Sequence, residues 1–163
     1  MIEFSKLSQQ ARIWVYTTDR FITDDEKNSI LLKCNQFLAT WSAHGDKLHA
    51  SADILDNCFL ILAVDEDHAS ASGCSIDKST KFLKTIEDEY NLSLLDWQNI
   101  AYIDNNQIKL TTRDAFKQII KESDASDKFL ICNPNLQTKS DLDSNRTICI
   151  QDSSFSNLLS VKS

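Results

Sequence analysis

The run of consecutive apolar residues from Cys58 to Val64 (CFLILAV) constrains this chain more than any other stretch. It is far too short to span a bilayer. It lies between Asp56-Asn57, a pair that tolerates the left-handed backbone of a tight turn, and the acidic Asp65. A run without polar alternation has no wet face, so it predicts a strand covered on both sides. Ahead of the turn, His49 to Leu55 sets Ala50, Ala52 and Ile54 against His49, Ser51 and Asp53, the alternation of a half-buried strand. Together these segments predict an antiparallel pair at the centre of the fold.

The elements around this pair follow from local chemistry. Arg12 to Thr18 (RIWVYTT) is β-branched and aromatic, which predicts another central strand. Thr23 and Glu26 form a capping-box signature, with Asp24 and Asp25 in the anion-favouring first turn. Ile30, Cys34, Phe37, Leu38 and Trp41 then recur at helical spacing. The predicted helix ends near Ser42 to Gly45, with Gly45 as a left-handed cap and His44 at the negative helix end. Ile76 to Tyr90 reads as a second helix with Ser75 as its N-cap, ended by Asn91. Asn99 to Asp104 and Gln107 to Leu110 flank Asn105-Asn106, a hairpin signal. Thr112 opens a third helix, Lys128 to Cys132 and Thr147 to Ile150 read as short strands, and Asn133 to Asn145 reads as a polar loop.

Up to Asp104 the order is strand, helix, strand, strand, helix, strand. This predicts an α+β domain with an antiparallel sheet covered by helices, namely a ferredoxin-like βαββαβ core over about 12–104 with a hairpin and helix extension over 105–163. A chain of 163 residues that is 42% apolar can bury one core, and no linker or repeat divides it. The net charge of −7 and the lack of a basic run exclude a nucleic-acid footprint. Met1 to Gln10 has no apolar stretch flanked by basic residues, and no segment predicts membrane insertion. The cysteines Cys34, Cys58, Cys74, Cys132 and Cys149 are odd in number and contain no closely spaced pair. Free thiols in apolar patterns point to a reducing, cytoplasmic setting.

Chemistry is expected first in Ala71-Ser72-Gly73-Cys74-Ser75-Ile76-Asp77-Lys78-Ser79, between the apolar strand and the second helix. Lys78-Ser79 fits the end of a Walker A phosphate loop, but Ser72 and Asp77 occupy the two glycine positions. Without those glycines the backbone amides cannot curl round phosphate, and the Asp77 carboxylate repels it, so this is not an ATP-hydrolysing loop. Small side chains and free amides at a helix start suit a small polar or anionic ligand. The expected binding residues are Ser72, Gly73, Ser75 and Lys78, with His49 and Lys139 nearby. The alternative is a thiol-dependent transferase or hydrolase. In it Cys74 is the nucleophile at the helix start, with Asp77 beside it and a histidine as base (His44, His49 or His68). Asp65, Glu66, Asp67 and His68 match no zinc or EF-hand spacing, so neither a metal nor a cofactor is assigned. A structural role in an assembly, a homodimer included, predicts an exposed apolar patch at Trp97 or the C-terminus.

Several blocks carry a resemblance: Trp14-Val15-Tyr16; Trp41 to Gly45 with Leu48 and Ala50; Val64-Asp65-Glu66; Ala71 to Ser79; and Asn135-Leu136-Gln137-Thr138-Lys139. Together they resemble a family of small uncharacterised proteins of Bacteroidetes bacteria, whose members often carry the label "ABC transporter ATPase". The Ser72-Gly73-Cys74-Ser75-Ile76-Asp77 block is its most specific part. The resemblance implies a cytoplasmic stand-alone protein and no established activity.

Overall fold

The computed structural model describes residues 2–123 and 129–162. The chain builds two antiparallel sheets. In the first, β1 (Arg12–Thr17) and β4 (His49–Leu55) flank β5 (Phe59–Asp65), in the order β1-β5-β4. Asp56 and Asn57, at φ 49° and 54°, turn β4 into β5. The apolar run is central, as its composition requires, and Leu60 to Val64 are wholly buried.

Helices α1 (Asp24–Thr40) and α2 (Gly73–Tyr90) cover one face of this sheet. Trp14, Tyr16, Leu60 and Leu62 meet Ile30, Cys34, Leu83 and Ile86 there. Thr23 and Glu26 form the expected capping box. The Arg20 guanidinium donates to both oxygens of Glu26 (3.0 and 2.7 Å) and to the Tyr90 carbonyl (2.8 Å), so the start of α1 is tied to the end of α2. The hydrogen bonds from Arg20, then those from Thr23, pull the Glu26 carboxyl down to about 2.

The second sheet has the order β7-β6-β8-β9, with β6 (Asn99–Asp104), β7 (Gln107–Thr112), β8 (Leu130–Cys132) and β9 (Thr147–Cys149). Asn105 and Asn106, at φ 48° and 61°, close the predicted hairpin. Of the strand expected over Lys128 to Cys132, Lys128 lies outside the described residues. The expected ferredoxin-like closure differs from this arrangement. There the strand after the second helix would extend the first sheet beside β1, whereas β6 pairs with β7 and β8. Its residues explain the departure: Ile100 and Tyr102 pack with Phe116, Ile131 and Ile150, while Ala101 on the opposite face meets Cys58 and Phe59. β6 thus lies across the first sheet as a second layer. Helix α3 (Arg113–Glu122), capped by Thr112, and the C-terminal 3-10 turns close the far side through Phe116, Ile120, Phe155 and Leu158.

Two local expectations are corrected. Gly45 does not cap α1, which ends at Thr40. His44 and Gly45, at φ 51° and 93°, form the turn of a short hairpin of β2 (Ser42–Ala43) and β3 (Asp46–Lys47). The loop after Cys132 contains α4 (Lys139–Ser144), whose Thr138 and Asp141 make a reciprocal capping box. Among the described residues, no helix is long and apolar enough to cross a membrane.

Candidate functional site

Helix α2 starts three residues earlier than expected. Ser72, not Ser75, is its N-cap: the Ser72 Oγ accepts from the Ser75 N–H (3.2 Å), and the Ser75 Oγ accepts from the Ser72 N–H (2.8 Å). Either serine can cap, and the choice places Gly73 and Cys74 inside the first turn. Cys74, Asp77 and Lys78 are exposed on that turn, whereas Ser75 is buried. The indole N–H of buried Trp41 donates to the Ser75 carbonyl at 2.8 Å. Gly73 keeps ordinary helical backbone and no atom lies within 4 Å of where a Cβ would stand, so it meets no close approach.

The histidines lie at the same end of the first sheet. His44 sits exposed in the turn of the β2–β3 hairpin, and β2 contacts α2. His49, at the start of β4, packs against His68 of the loop after β5, with ring centroids 4.0 Å apart and planes tilted by 35°. Lys139 is committed elsewhere. Its buried ammonium donates to the Ser5 carbonyl (3.0 Å) and the Leu7 carbonyl (2.9 Å), and lies 5.8 Å from the Phe4 ring. It clamps the N-terminal segment over Ile13, Ile61 and Leu142. Lys139→Met is therefore expected to cost about 2 kcal/mol of stability, because two carbonyls lose a charged donor. Urea denaturation measures the loss; an unchanged midpoint would overturn this assignment.

Three of the other thiols are packing groups. Cys34 and Cys58 are buried, and burial pushes both up to about 12; burial likewise pushes Cys132 up to about 11. A thiol so raised stays protonated at neutral pH and is a poor nucleophile.

A cleft of about 400 Å³ lies between the two sheets, in the size range of small-ligand sites. Its floor is Val15, Tyr16, Thr17 and Phe59 of the first sheet. Its walls come from Leu94 to Trp97 after α2, from Arg113 at the start of α3, and from Asn133, Pro134 and Phe155. Gly73, Cys74 and Lys78 do not line it.

The path of each wall has a cause. Asn91, at φ 50°, takes the left-handed position after α2, and the Leu92 N–H returns to the Glu87 carbonyl (3.1 Å). The Glu87 carboxylate, itself buried, accepts from the Leu94 N–H (2.7 Å) and the Leu95 N–H (2.9 Å). Asn99 then donates its side-chain amide to the Thr17 and Ser93 carbonyls, both at 3.0 Å, and pins β6 to the end of β1.

At the mouth, Trp97 is 68% exposed, an uncommon state for the largest side chain. The Arg113 guanidinium lies 5.5 Å from its ring centroid, within cation–π range. Arg113 also donates to the Asn157 Oδ1 (3.2 Å), and among the described residues it forms no ion pair with a carboxylate. Asp96, in the same wall, accepts from the Gln98 N–H (2.9 Å). Tyr16 lines the floor while its side chain packs toward the helices, where burial pushes the phenol up to about 12. Of these residues only Trp97 was singled out from the sequence, as a candidate exposed patch; Arg113, Tyr16 and Asn133 come from distant segments that share no spacing.

A comparison with family models, with curated proteins and with solved structures finds no match for this chain.

Proposed function

We propose that this protein is a binding module whose small, polar or anionic ligand sits in the cleft between the two sheets. The observation that carries the reading is Arg113: a half-buried guanidinium on the wall of a ligand-sized cleft, held against exposed Trp97, with no carboxylate partner among the described residues. A planar guanidinium with free donors recognises a carboxylate or phosphate in a fixed geometry. Trp97 adds a large rigid contact at little entropic cost.

This site supports the reading better than the start of α2. There the Ser72 and Ser75 hydroxyls are turned onto the helix's own amides, and Cys74, Asp77 and Lys78 are exposed. The test is a titration of the full chain with a panel of small monocarboxylates and monophosphates, benzoate and inorganic phosphate included. Intrinsic fluorescence and amide NMR shifts are the readouts. At least one compound is expected to perturb Trp97 and Arg113 together, and Arg113→Gln is expected to weaken it about tenfold or more, as loss of a charge-assisted contact does. A panel that leaves both residues unmoved would sink the reading.

A further inference from the structure

Strand β1 is an edge strand of the first sheet, and its outer edge is only partly used. The Thr18 N–H donates to the Cys58 carbonyl (2.9 Å), which sets the parity of the β1–β5 ladder: in register, Tyr16, Trp14 and Arg12 turn their backbone groups inward to β5. The odd residues turn theirs outward, and two contacts agree. The Ile13 N–H donates to the Gln137 carbonyl (2.9 Å), and the Thr17 carbonyl accepts from Asn99 (3.0 Å). Between these two plugs the Ile13 carbonyl is open outside the cleft, and within the cleft, which Val15 and Thr17 line, the Val15 N–H, the Val15 carbonyl and the Thr17 N–H have no partner among the described residues. Unpaired strand groups of this kind template the addition of another strand.

We infer that the ligand of the cleft is the C-terminal end of an extended peptide, paired with β1 at Val15 and Thr17 and holding its terminal carboxylate on Arg113. The inference rests on the cleft reading above and names the ligand class. The open edge spans two residue steps, about 7 Å, so two or three peptide residues are recognised. The three free backbone groups match the alternating donors and acceptors of one strand. Charge fixes the direction: Arg113 offers the cleft a guanidinium without a carboxylate partner, whereas Asp96 in the same wall selects against a ligand with several negative charges. Trp97 at the mouth supplies the apolar contact for one side chain. Because main-chain groups do most of the recognition, binding tolerates many sequences.

The experiment compares three probes on the labelled full chain by NMR: benzoate, an equimolar mixture of N-acetyl tripeptides with free carboxylates, and the same mixture ended as amides. The free-carboxylate tripeptides are expected to bind about tenfold or more tighter than benzoate, and amidation is expected to remove most of that gain. The Val15 and Thr17 amide protons should shift downfield and show cross-strand contacts to the peptide. Methylation of each peptide nitrogen in turn should reveal one position that loses about tenfold. If tripeptides bind no tighter than benzoate, or no methylation matters, strand pairing is wrong while the cleft reading survives. If neither benzoate nor peptides nor any acid of the small-molecule panel moves Trp97 and Arg113, both readings fall.

Discussion

Trp41→Ala is expected to cost about 4 kcal/mol, the largest loss from any single truncation considered for this chain. Trp41 is 1% exposed. It packs between Trp14 (ring centroids 6.2 Å, edge to face) and Phe37 (5.4 Å), in a cluster with Leu38, Leu48 and Val64. Removing the indole therefore opens a cavity at the junction of α1, α2 and the first sheet. It also strips the Ser75 carbonyl of its indole donor. For a domain of this size the melting temperature should fall by roughly 10 °C. Trp41→Phe separates the two terms: it keeps most of the packing, loses the hydrogen bond, and should cost about 1–2 kcal/mol. Urea unfolding with an unchanged slope is the measurement. A loss below about 1 kcal/mol for the alanine variant would mean that the indole does not join the two helices.

Glu87 yields the second large effect, and one that depends on pH. Burial alone would raise this carboxyl, but the N–H groups of Leu95 and Leu94, and the nearby Lys84 ammonium, outweigh it, so the group sits below the ordinary carboxylate value. Glu87→Ala leaves those amides without an acceptor and is expected to cost about 3 kcal/mol at neutral pH. The sign of the pH dependence follows from the lowered value. The contribution is fully present above the unfolded-state carboxylate range, about pH 4.3, and is lost as pH falls through the lower folded-state value. Glu26 and Asp141 are lowered as well, so the wild-type curve alone is not diagnostic. The difference between wild type and Glu87→Gln is: it should shrink as pH drops below about 4.3, since a neutral amide can still accept but does not titrate. A difference independent of pH over that window would show that the charge contributes nothing. The variant also bears on the cleft, because Leu94 and Leu95 begin the wall that ends at Trp97.

The sequence disclosed those parts of the fold whose causes are local. Thr23 with Glu26, Asp56-Asn57 and Asn105-Asn106 each carry their geometry within four residues, and each is where it was expected. The apolar run of β5 announced a strand covered on both faces, though not what covers it. The start of α2 was misplaced because Ser72 and Ser75 are both competent caps, and the winner is the one whose choice buries Ser75 and brings its carbonyl to Trp41. Gly45 was rightly read as left-handed, but a helix cap and a hairpin turn make the same demand on φ. The position of β6 was beyond local reading. Its backbone groups can pair beside β1 or beside β7 and β8, and the three-dimensional fit decides: Ile100 and Tyr102 against Phe116 and Ile131 on one face, Ala101 on Phe59 on the other. The cleft follows from that decision. Had β6 paired along β1, the open edge at Val15 and Thr17 would be filled.

The stacking of one sheet on the other has a further consequence for cooperativity. The first sheet with α1 and α2 has its own core, and so has the second sheet with α3 and the C-terminal turns. They meet through a cluster around Cys58, Phe59 and Ala101, through the Asn99 bridge, and through the β8–β9 connection, whose Leu136 and Leu142 pack on Ile13 and Ile61 while Gln137 accepts from the Ile13 N–H. Contacts spread along the seam in this way couple the two cores, so that neither parts from the other without losing packing of its own. Whatever fills the cleft touches both, so occupancy adds its binding free energy to the folded state as a whole. Calorimetry is expected to show one cooperative transition for the empty protein and one at higher temperature when the cleft is filled.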